Sequence, residues 1–308
     1  MILHYARLSR FPKVFRIMTG LMVVEFDQVV DDLVPRHARA EKKRLSRPNR
    51  QRAVGAGHPF ELSVVDQILL TVIWLRVYPT HEVLGYLFGV SDSTARRAIE
   101  CVLPLLEQSG QDTMRMPDPG KKHHRQLDAL LQDLPDLMVV IDSFEQRVQR
   151  PPERATADCY YSGKKKQHTL KSQVAIDEQT GQVVDIAESV PGPTADINLL
   201  QQSDLMSRLP DGVGGMGDLA YIGIDKLDAQ HIGAAPRRKP RGQPRPAEDI
   251  AYNTAFARRR IGVEHTIGRL RRYEAITHTD RNHRRDHTTR VRAVAGLANR
   301  QIDHRLMS

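Results

Sequence analysis

The feature that most narrows the choice of fold is a run of five apolar residues that ends on a carboxylate. Leu137-Met138-Val139-Val140-Ile141 is followed directly by Asp142. An uninterrupted apolar run of this length predicts a strand that is buried on both faces. Helices usually cover such a strand on both sides, so the run predicts an α/β domain with Asp142 at the carboxyl end of the strand.

Segments further along the chain continue the α/β pattern. Lys165–Asp177 and Gln182–Val190 are rich in β-forming residues and flank a short turn, so they predict a β-hairpin. Gly214–Tyr221 predicts a short strand that enters a tight loop, and Tyr252–Tyr273 predicts a helix. Together these elements predict a mixed sheet flanked by helices.

The N-terminal part has helical periodicity instead. Apolar positions from Phe26 to Leu33 predict a helix that Pro35 ends, and the basic segment Arg36–Arg52 predicts a linker. We divide the chain into an all-α domain over 1–110, a linker over 111–136 and an α/β domain over 137–302.

Within the helical domain, residues 80–106 have the layout of a helix-turn-helix. Two apolar stripes at helical spacing are separated by Gly89-Val90-Ser91. The start of the second helix, which enters the major groove in this motif, would present four polar side chains outward: Ser93, Thr94, Arg96 and Arg97. An ordinary helical hairpin explains the same pattern, and periodicity alone leaves that alternative open.

The positive charge of the chain is concentrated near its C-terminal end. The formal net charge is +9, yet residues 236–300 hold 17 Lys and Arg against 6 Asp and Glu, which leaves the remainder at −2. Clustered basic side chains predict a surface for nucleic acid, because they replace the counterions condensed on phosphates. A solvated basic face is the alternative.

Composition also excludes several classes of protein. The longest mainly apolar run, Ile68–Leu75, is far shorter than the ~20 residues that cross a bilayer, so we predict no membrane partner. We find no signal-peptide pattern, and the two cysteines, Cys101 and Cys159, cannot build a disulfide framework. We therefore expect a soluble protein of a reducing compartment, the cytoplasm.

Three acidic residues stand in sequence contexts that suit a metal site. Asp142 follows the buried strand, Asp218 follows glycines that allow close approach, and Glu264 lies on a helix that we expect to turn it toward the core beside Ile267. Asp177 also ends a strand, but the turn after it explains that residue. A loop aspartate at Asp218 and a salt bridge from Arg260 to Glu264 are the structural alternatives.

Three carboxylates would supply hard oxygen ligands. Such ligands suit Mg²⁺ or Mn²⁺, whereas zinc prefers Cys and His. Two such ions ~3.5–4 Å apart could stabilise both the attacking and the leaving oxygen of a phosphodiester displacement. The acids therefore predict a two-metal phosphodiester site.

The order of these features resembles the DDE transposases of bacterial insertion sequences. The most specific likeness is Tyr252-Asn253, Arg260-Ile261-Gly262-Val263-Glu264 and Gly268-Arg269-Leu270-Arg271-Arg272-Tyr273, which are similar to the region of the third acid in that family. A weaker likeness lies upstream, in Arg44–Arg50. The resemblance covers roughly residues 14–302.

The resemblance implies an RNase H-like catalytic core behind the helix-turn-helix. It also implies a Mg²⁺-dependent enzyme that cuts transposon ends and joins the 3′-hydroxyl to target DNA. Asp142, Asp218 and Glu264 would be the catalytic and metal-binding acids. The basic residues near the third acid would bind DNA: Arg260, Arg271 and Arg272.

The resemblance further implies double-stranded DNA partners, namely terminal inverted repeats and target DNA, and a homo-oligomer on them. The chain departs from the family pattern at Ala257, where a tyrosine is frequent, at Arg271, where a lysine is usual, and at Ala195, where a histidine precedes Asp196. A nuclease that cuts without joining and a DNA-binding regulator with an inactive core are the alternative functions.

Overall fold

The computed structural model describes residues 2–46, 61–120 and 129–307. Residues 47–50 of the weaker upstream likeness and 121–128 of the predicted linker lie outside the described residues. The chain forms two compact units, each built from separate segments. We call them the helical unit, from Met1–Asp112, Arg272–Ile276 and Arg292–Ser308, and the sheet unit, from Thr113–Arg271 and Thr277–Val291. The domain bounds predicted from sequence stay a prediction.

Six helices within the described residues open the helical unit. They are α1 (Tyr5–Leu8), α2 (Pro12–Thr19), α3 (Val23–Leu45), α4 (Val64–Val77), α5 (His81–Phe88) and α6 (Asp92–Gln111). Helix α4 is the centre of this unit, because every residue from Gln67 to Leu75 is buried. A helix that is apolar on all sides must be surrounded by other elements.

The prediction that Pro35 ends its helix is wrong. Helix α3 continues through Pro35 to Leu45. The segment Arg36–Arg52, which was predicted to be a linker, is therefore helical as far as Leu45. A proline inside a helix removes one backbone hydrogen bond, but neighbouring contacts keep the helix intact here. Arg36 donates to Asp32 at 3.1 Å and to Asp112 at 2.6 Å, which anchors the turn that follows the proline.

The helix-turn-helix layout is present in the structure. Helix α5 ends at Gly89, whose φ of 67° is left-handed, and Ser91 caps α6 by accepting a hydrogen bond from the Thr94 amide at 3.1 Å. Gly85 lets the two helices meet closely, since a Cβ there would lie 2.7 Å from the Val90 carbonyl oxygen. The turn is therefore fixed by two glycines and a serine cap.

The sheet unit contains a mixed sheet, as predicted. Its strands within the described residues are β1 (Leu137–Arg147), β2 (Tyr161–Ser162), β3 (Gln167–Asp177), β4 (Val183–Ile186), β5 (Val190–Pro191), β6 (Val213–Met216) and β7 (Gly233–Ala234). The order is β2-β3-β1-β6-β7, and β4 and β5 also pair with β3. Strand β1 is antiparallel to β3 and parallel to β6, and β6 is parallel to β7.

Asp142 is not at the end of its strand, contrary to the prediction. Strand β1 continues to Arg147 because β3 pairs with it as far as Arg147 opposite Thr169. On its other side, pairing with β6 stops at Val140 opposite Met216. Asp142 therefore lies in the middle of β1, just beyond the last residue that β6 covers.

Helices cover both faces of the sheet. The sheet unit contains α7 (Arg154–Tyr160), α8 (Asp196–Ser203) and α9 (Ala247–Leu270). Leu200 of α8 packs in one apolar cluster with Val139 and Ile141 of β1. Helix α9 packs on β1 and β3. Its Arg260 approaches Asp142, which is next to Ile141 in β1 and therefore points to the opposite face of the sheet. Helix α9 thus covers the face that α8 does not.

A buried ion pair fixes α9 against the sheet. The Arg259 Nε donates to both carboxylate oxygens of Glu178 at 2.9 and 2.8 Å, and its Nη2 donates to the Pro135 carbonyl at 2.7 Å. Both charged side chains are almost fully buried. Removal of one partner would leave an uncompensated buried charge, so the loss of this contact between α9 and the end of β3 should be strongly destabilising.

The last helix, α10 (His287–Met307), belongs to both units by its two parts. In the helical unit, the Arg300 Nη2 donates to Asp32 of α3 at 2.7 Å and to Ser109 of α6 at 2.6 Å. Across the described ranges, the helices all lack the combination of length and apolarity that a membrane crossing needs.

Candidate functional site

Strand pairing brings two of the three predicted acids side by side. Asp142 and Asp218 each stand two residues beyond the paired Val140 and Met216 of the parallel strands β1 and β6. Residues two apart in a strand share a face, and the backbone is still extended at Asp218, so both carboxylates lie on the same face beyond the end of β6 and the charge of Asp218 acts on Asp142. The Asp218 carboxylate accepts the Ala220 amide at 2.8 Å and so caps a 3₁₀ turn at Leu219–Tyr221.

The surroundings of Asp142 disfavour its charged form. Burial raises the pKa of the Asp142 carboxyl above its ordinary value, and the negative charges of Asp218 and Asp196 act in the same direction. The Ser143 amide, which donates to the Asp142 Oδ1 at 2.7 Å, and the nearby Arg260 oppose the shift only in part. This carboxylate would therefore gain from an added cation.

Arg260 is the basic residue of α9 that reaches the site. Its Nη2 lies 3.7 Å from the Asp142 Oδ2, and only 14% of its side chain is exposed. The sequence placed Arg260 beside the third acid, and the structure places it beside the first. Its predicted DNA contact stays a prediction.

Glu264 does not join the two aspartates in this structure. Its side chain is exposed, and within the described part of the chain it makes no hydrogen bond or ion pair. The expectation that it turns toward the core is wrong, because the buried stripe of α9 runs through Arg259, Val263, Thr266 and Leu270. Its role as third acid stays a prediction.

Sequence reasoning missed a polar cluster next to Asp142. The Ser143 hydroxyl donates to the Asp196 Oδ1 at 2.6 Å, and the Lys171 Nζ lies 3.0 Å from the same oxygen. The side chains of Lys171 and Asp196 are only 8% and 16% exposed. A lysine inside the otherwise buried strand β3 was the available signal, because a buried lysine requires an anionic partner.

The donor set at Asp142 and Asp218 fits a divalent cation in its chemistry. Carboxylate oxygens are the ligands of Mg²⁺ and Mn²⁺, and the mutual repulsion of these two groups is what a cation relieves. Among the described residues, no group of three or more His, Cys, Asp and Glu side chains is arranged to hold a metal ion. That Asp142 and Asp218 bind a metal ion stays a prediction.

Comparisons with known proteins give this geometry a family. Residues 141–299, more than half of the chain, match the family model described as DDE superfamily endonuclease. The chain belongs to this family. Residues 60–112 match the model described as the helix-turn-helix of DDE superfamily endonuclease, which confirms the predicted motif. DDE superfamily endonucleases generally use divalent metal ions.

One curated relative is similar to this DDE superfamily endonuclease over almost the whole length of both chains. It is described as a probable transposase for insertion sequence element IS702, from Microchaete diplosiphon. The two sequences are 27% identical over 288 residues, which is 94% of each chain. No solved structure matches the chain.

The helix-turn-helix of this endonuclease exposes most of the residues predicted to read DNA. Ser93, Arg96 and Arg97 are exposed, whereas Thr94 is half-buried and its hydroxyl accepts a hydrogen bond from Ser91 at 2.9 Å. Arg96 forms a 3.6 Å ion pair with Glu100 on the same helix. Their DNA contacts stay a prediction.

The predicted basic residues after the third acid are exposed at the end of α9. Arg271 follows the last helical residue, and its amide donates to the Ile267 carbonyl at 2.9 Å. The Arg272 side chain is also exposed, and its carbonyl accepts a hydrogen bond from Arg76. Neither residue belongs to the cluster at Asp142, and their DNA contacts stay a prediction.

A basic loop, residues 237–245, precedes α9. Asn253 of α9 holds the loop by its side-chain amide, which accepts from the Arg237 amide at 2.8 Å and donates to the Arg237 carbonyl at 3.0 Å. The Arg237 guanidinium lies 4.3 Å from the centre of the Tyr252 ring and forms an ion pair with Asp249 at 3.2 Å. The next three basic residues are exposed: Arg238, Lys239 and Arg241.

Proposed function

We propose that this DDE superfamily endonuclease is a transposase that acts on the ends of an insertion sequence. It binds transposon-end DNA, cleaves it by metal-dependent hydrolysis and joins the resulting 3′-hydroxyl to target DNA. The observation that carries the proposal is the juxtaposition of Asp142 and Asp218 by the β1–β6 register, in a chain that also has the family's helix-turn-helix. The similar IS702 protein supports the same assignment.

The sheet unit would be an RNase H-like core. Its long first strand is central, antiparallel to β3 and parallel to β6 and β7. Helices α8 and α9 cover opposite faces. This order and these directions support the assignment, because they bring the first two acids together beyond the end of β6.

Asp142 and Asp218 would hold Mg²⁺ or Mn²⁺, with Glu264 as the third acid. Two bound ions would lower the pKa of a water molecule and stabilise the charge on the attacking and leaving oxygens of the phosphodiester. Glu264 stands one helical turn, about 6 Å, beyond Arg260 on α9. Since Arg260 already contacts Asp142, this short distance supports the assignment of Glu264 to the same site.

The remaining basic residues would bind the DNA itself. Ser93, Thr94, Arg96 and Arg97 would enter the major groove of the terminal repeats, and Arg260, Arg271 and Arg272 would neutralise backbone phosphates. Two transposon ends must meet for joining, so we propose a homo-oligomer on DNA. A DNA partner of this kind implies a cytoplasmic, nucleoid-associated protein.

A cleavage assay tests the proposed function. Purified protein is incubated with labelled element-end duplex and Mg²⁺, beside Asp142→Ala, Asp218→Ala and Glu264→Ala. Asp211→Ala is the matched control, because Asp211 is an exposed acid of the same unit without a partner in the described ranges. We expect the wild type and the control to nick the DNA and the three variants to lose nicking at least 100-fold. Nicking that persists in all three would refute the site.

A second assay separates joining from cutting. Pre-cut ends that carry a free 3′-hydroxyl are supplied with a supercoiled plasmid target. Joined product, dependent on Asp142, is the expected result. Cleavage without any joined product would instead identify a nuclease of the same family.

A further inference from the structure

The polar cluster beside Asp142 has features that a purely structural ion pair does not need. Asp196 adds a second negative charge near Asp142, since the charges of both Asp196 and Asp218 act on that residue. The carboxylate of Asp196 at this position costs electrostatic free energy unless it is compensated by a cation. Lys171 provides that compensation from inside strand β3, at 3.0 Å.

Buried ion pairs are weak stabilisers of a fold. Desolvation of two charges offsets most of their attraction, and well-packed apolar residues of similar volume often stabilise as well or better. The Lys171–Asp196 pair is largely buried, and the Lys171 Nζ also donates to the Thr194 carbonyl. Stabilisation of the fold therefore gives little reason for the buried Lys171–Asp196 pair.

The contacts continue from this pair to Asp142. The Asp196 Oδ1 accepts the Ser143 hydroxyl at 2.6 Å, and the backbone amide of Ser143 donates to the Asp142 Oδ1 at 2.7 Å. Ser143 thus makes one hydrogen bond on each side of β1, with its side chain toward Asp196 and its amide toward Asp142. Strand pairing opposite Gln173 holds the backbone of Ser143, and the hydroxyl contact with Asp196 fixes its side chain as well.

This chain of contacts assigns different roles to the two oxygens of Asp142. Oδ1 is taken by the Ser143 amide, while Oδ2 faces Arg260 at 3.7 Å. A rotation of the carboxylate would exchange these partners. An anchored Ser143 therefore keeps one oxygen of Asp142 directed away from the strand backbone.

We propose that Asp196, anchored by Lys171, is a positioning residue that acts through Ser143 on the Asp142 carboxylate. The inference rests on the proposed function for its consequence in cleavage. Asp196 touches neither the substrate nor the metal site in this role. It fixes the orientation in which Asp142 meets a cation.

Ser143→Ala is the cleanest test, because it cuts the link to β1 and leaves the Lys171–Asp196 pair intact. Outer contacts of this type alter metal affinity or activity by about 10- to 100-fold when they are removed. We expect Ser143→Ala to weaken Mn²⁺ binding, titrated by electron paramagnetic resonance without DNA, by at least 10-fold. Turnover in the cleavage assay should fall by a similar factor while KM for DNA stays within about 2-fold. Ser143→Thr, which keeps the hydroxyl, should restore both.

A double variant, Lys171→Met with Asp196→Ala, removes the anchor without leaving a buried charge. Its matched control is Arg208→Met with Asp185→Ala, which removes a 3.1 Å ion pair of the same unit that makes no contact with Asp142. We expect the first double variant to behave as Ser143→Ala and the second as the wild type. If the Lys171→Met/Asp196→Ala variant melts at a lower temperature than its control, the result for Ser143→Ala alone tests the proposal.

Two outcomes would overturn the inference. One is Mn²⁺ binding and turnover by Ser143→Ala equal to those of the control, and the other is a wild type that binds no Mn²⁺. Failure of the proposed function is a separate result, in which the wild type binds Mn²⁺ but cuts no DNA, or Asp142→Ala still cuts. In that case the Mn²⁺ titration still decides the roles of Ser143 and Asp196.

Discussion

His287 is a buried histidine whose hydrogen bonds define its protonation. Its Nδ1 lies 2.8 Å from the Ser189 hydroxyl and its Nε2 lies 2.8 Å from the Gln146 Oε1. Because the Gln146 amide nitrogen donates to the His278 carbonyl at 2.7 Å, its Oε1 is an acceptor and the proton of His287 is on Nε2. The ring therefore belongs to the interior of the sheet unit, and His283, four residues earlier, is exposed.

This histidine should make the stability of the protein depend on pH. Burial, with the nearby Arg290 cation, lowers the pKa of His287 from 6.5 to about 3. The unfolded chain then binds a proton near pH 6.5 while the folded chain stays neutral. The contribution is present above pH 6.5 and is lost as the pH falls toward 3, with a slope of up to about 1.4 kcal/mol per pH unit.

Urea unfolding of the wild type and His287→Gln between pH 7 and pH 4 measures this effect. Glutamine keeps hydrogen-bonding capacity but cannot titrate, so the difference in unfolding free energy should shrink as the pH falls. His283→Gln is the exposed control. Two parallel stability curves for the wild type and His287→Gln would contradict the prediction.

Among the residues of the site, the sequence indicated those that follow a recognisable local pattern and missed those that do not. The apolar run before Asp142 and the glycines before Asp218 were visible along the chain, and the structure places these two acids together. Asp196 is 53 positions from Ser143, and its partner Lys171 comes from a different strand. No local pattern connects them, because the contact exists only once the sheet is formed.

Among the elements, the turn of the helix-turn-helix depends on close approach at Gly85. A methyl group there would lie 2.7 Å from the Val90 carbonyl oxygen, and this backbone atom cannot move without opening the turn. The equivalent change in an open helix has the opposite effect. Gly268 of α9 has nothing within 4 Å of the position that a Cβ would take.

Gly85→Ala should therefore destabilise the helical unit, by about 1–3 kcal/mol from overpacking. Gly268→Ala should stabilise its helix by about 0.5–1 kcal/mol, because alanine loses less conformational entropy than glycine. Chemical denaturation followed by circular dichroism measures both changes. Equal shifts in the two variants would show that contact with the turn is not responsible.

The basic loop before α9 offers a test of DNA contact. Arg237 is already paired with Asp249 and with Glu248, whereas Arg238, Lys239 and Arg241 make no ion pair within the described part of the chain. Each phosphate contact contributes about 0.9 to the slope of log affinity against log salt concentration. We expect Arg238→Ala/Lys239→Ala/Arg241→Ala to reduce that slope by about 2–3 for element-end DNA.

Arg237→Ala is the matched control in this titration. Its charge is neutralised within the protein, so the slope should stay close to that of the wild type. A triple variant with an unchanged slope would place the DNA backbone elsewhere. Fluorescence anisotropy at several salt concentrations gives the slopes.

Elements with clear start and stop signals were predicted well. Helices α5 and α6 begin after Thr80 and Ser91, whose side chains cap them, and the β3–β4 hairpin follows its turn. The prediction of α3 was wrong because Arg36, directly after the proline, is held by Asp32 and by Asp112, and the second of these contacts is distant in sequence. The length of β1 was underestimated, since a strand ends where its partner ends.

At the scale of the whole molecule, the helical unit is discontinuous in sequence. Its core includes Val294, Leu297 and Ile302 of α10 and Tyr273 from a short inserted segment. The Gln301 side chain donates to the Gly20 carbonyl, and Arg292 pairs with Glu107 of α6 at 3.4 Å. Residues more than 150 positions apart in the chain thus share one core.

A fragment that ends at Asp112 should fold poorly on its own. It would expose the surfaces of α3 and α6 that α10 covers, so we expect reduced helicity and no cooperative melting. The same fragment joined by a flexible Gly/Ser linker to residues 292–307 should regain both. Cooperative melting of the shorter fragment at the temperature of the longer one would contradict this prediction and support a domain bound near residue 110.

The sequence showed the change from helical periodicity to an α/β pattern along the chain. It did not show that the C-terminal helix packs with the N-terminal helices. The last helix is amphipathic in a way that fits either unit, because a helical stripe records that a face is buried and not what covers it. Assignment of α10 to α3 and α6 requires contacts such as that of Arg300 with Asp32.

With the proposed role of the helix-turn-helix in reading DNA, the discontinuity would affect how a protein of this type acquires a new DNA target by gene exchange. A single recombination event within the coding sequence would import a foreign helix-turn-helix and retain the resident α10. The imported α3 and α6 would then meet a partner helix with which they have no shared history. A change of target by recombination therefore requires two linked breakpoints, or a series of compensating substitutions along α10, and point substitution on the exposed face of α6 is the shorter route.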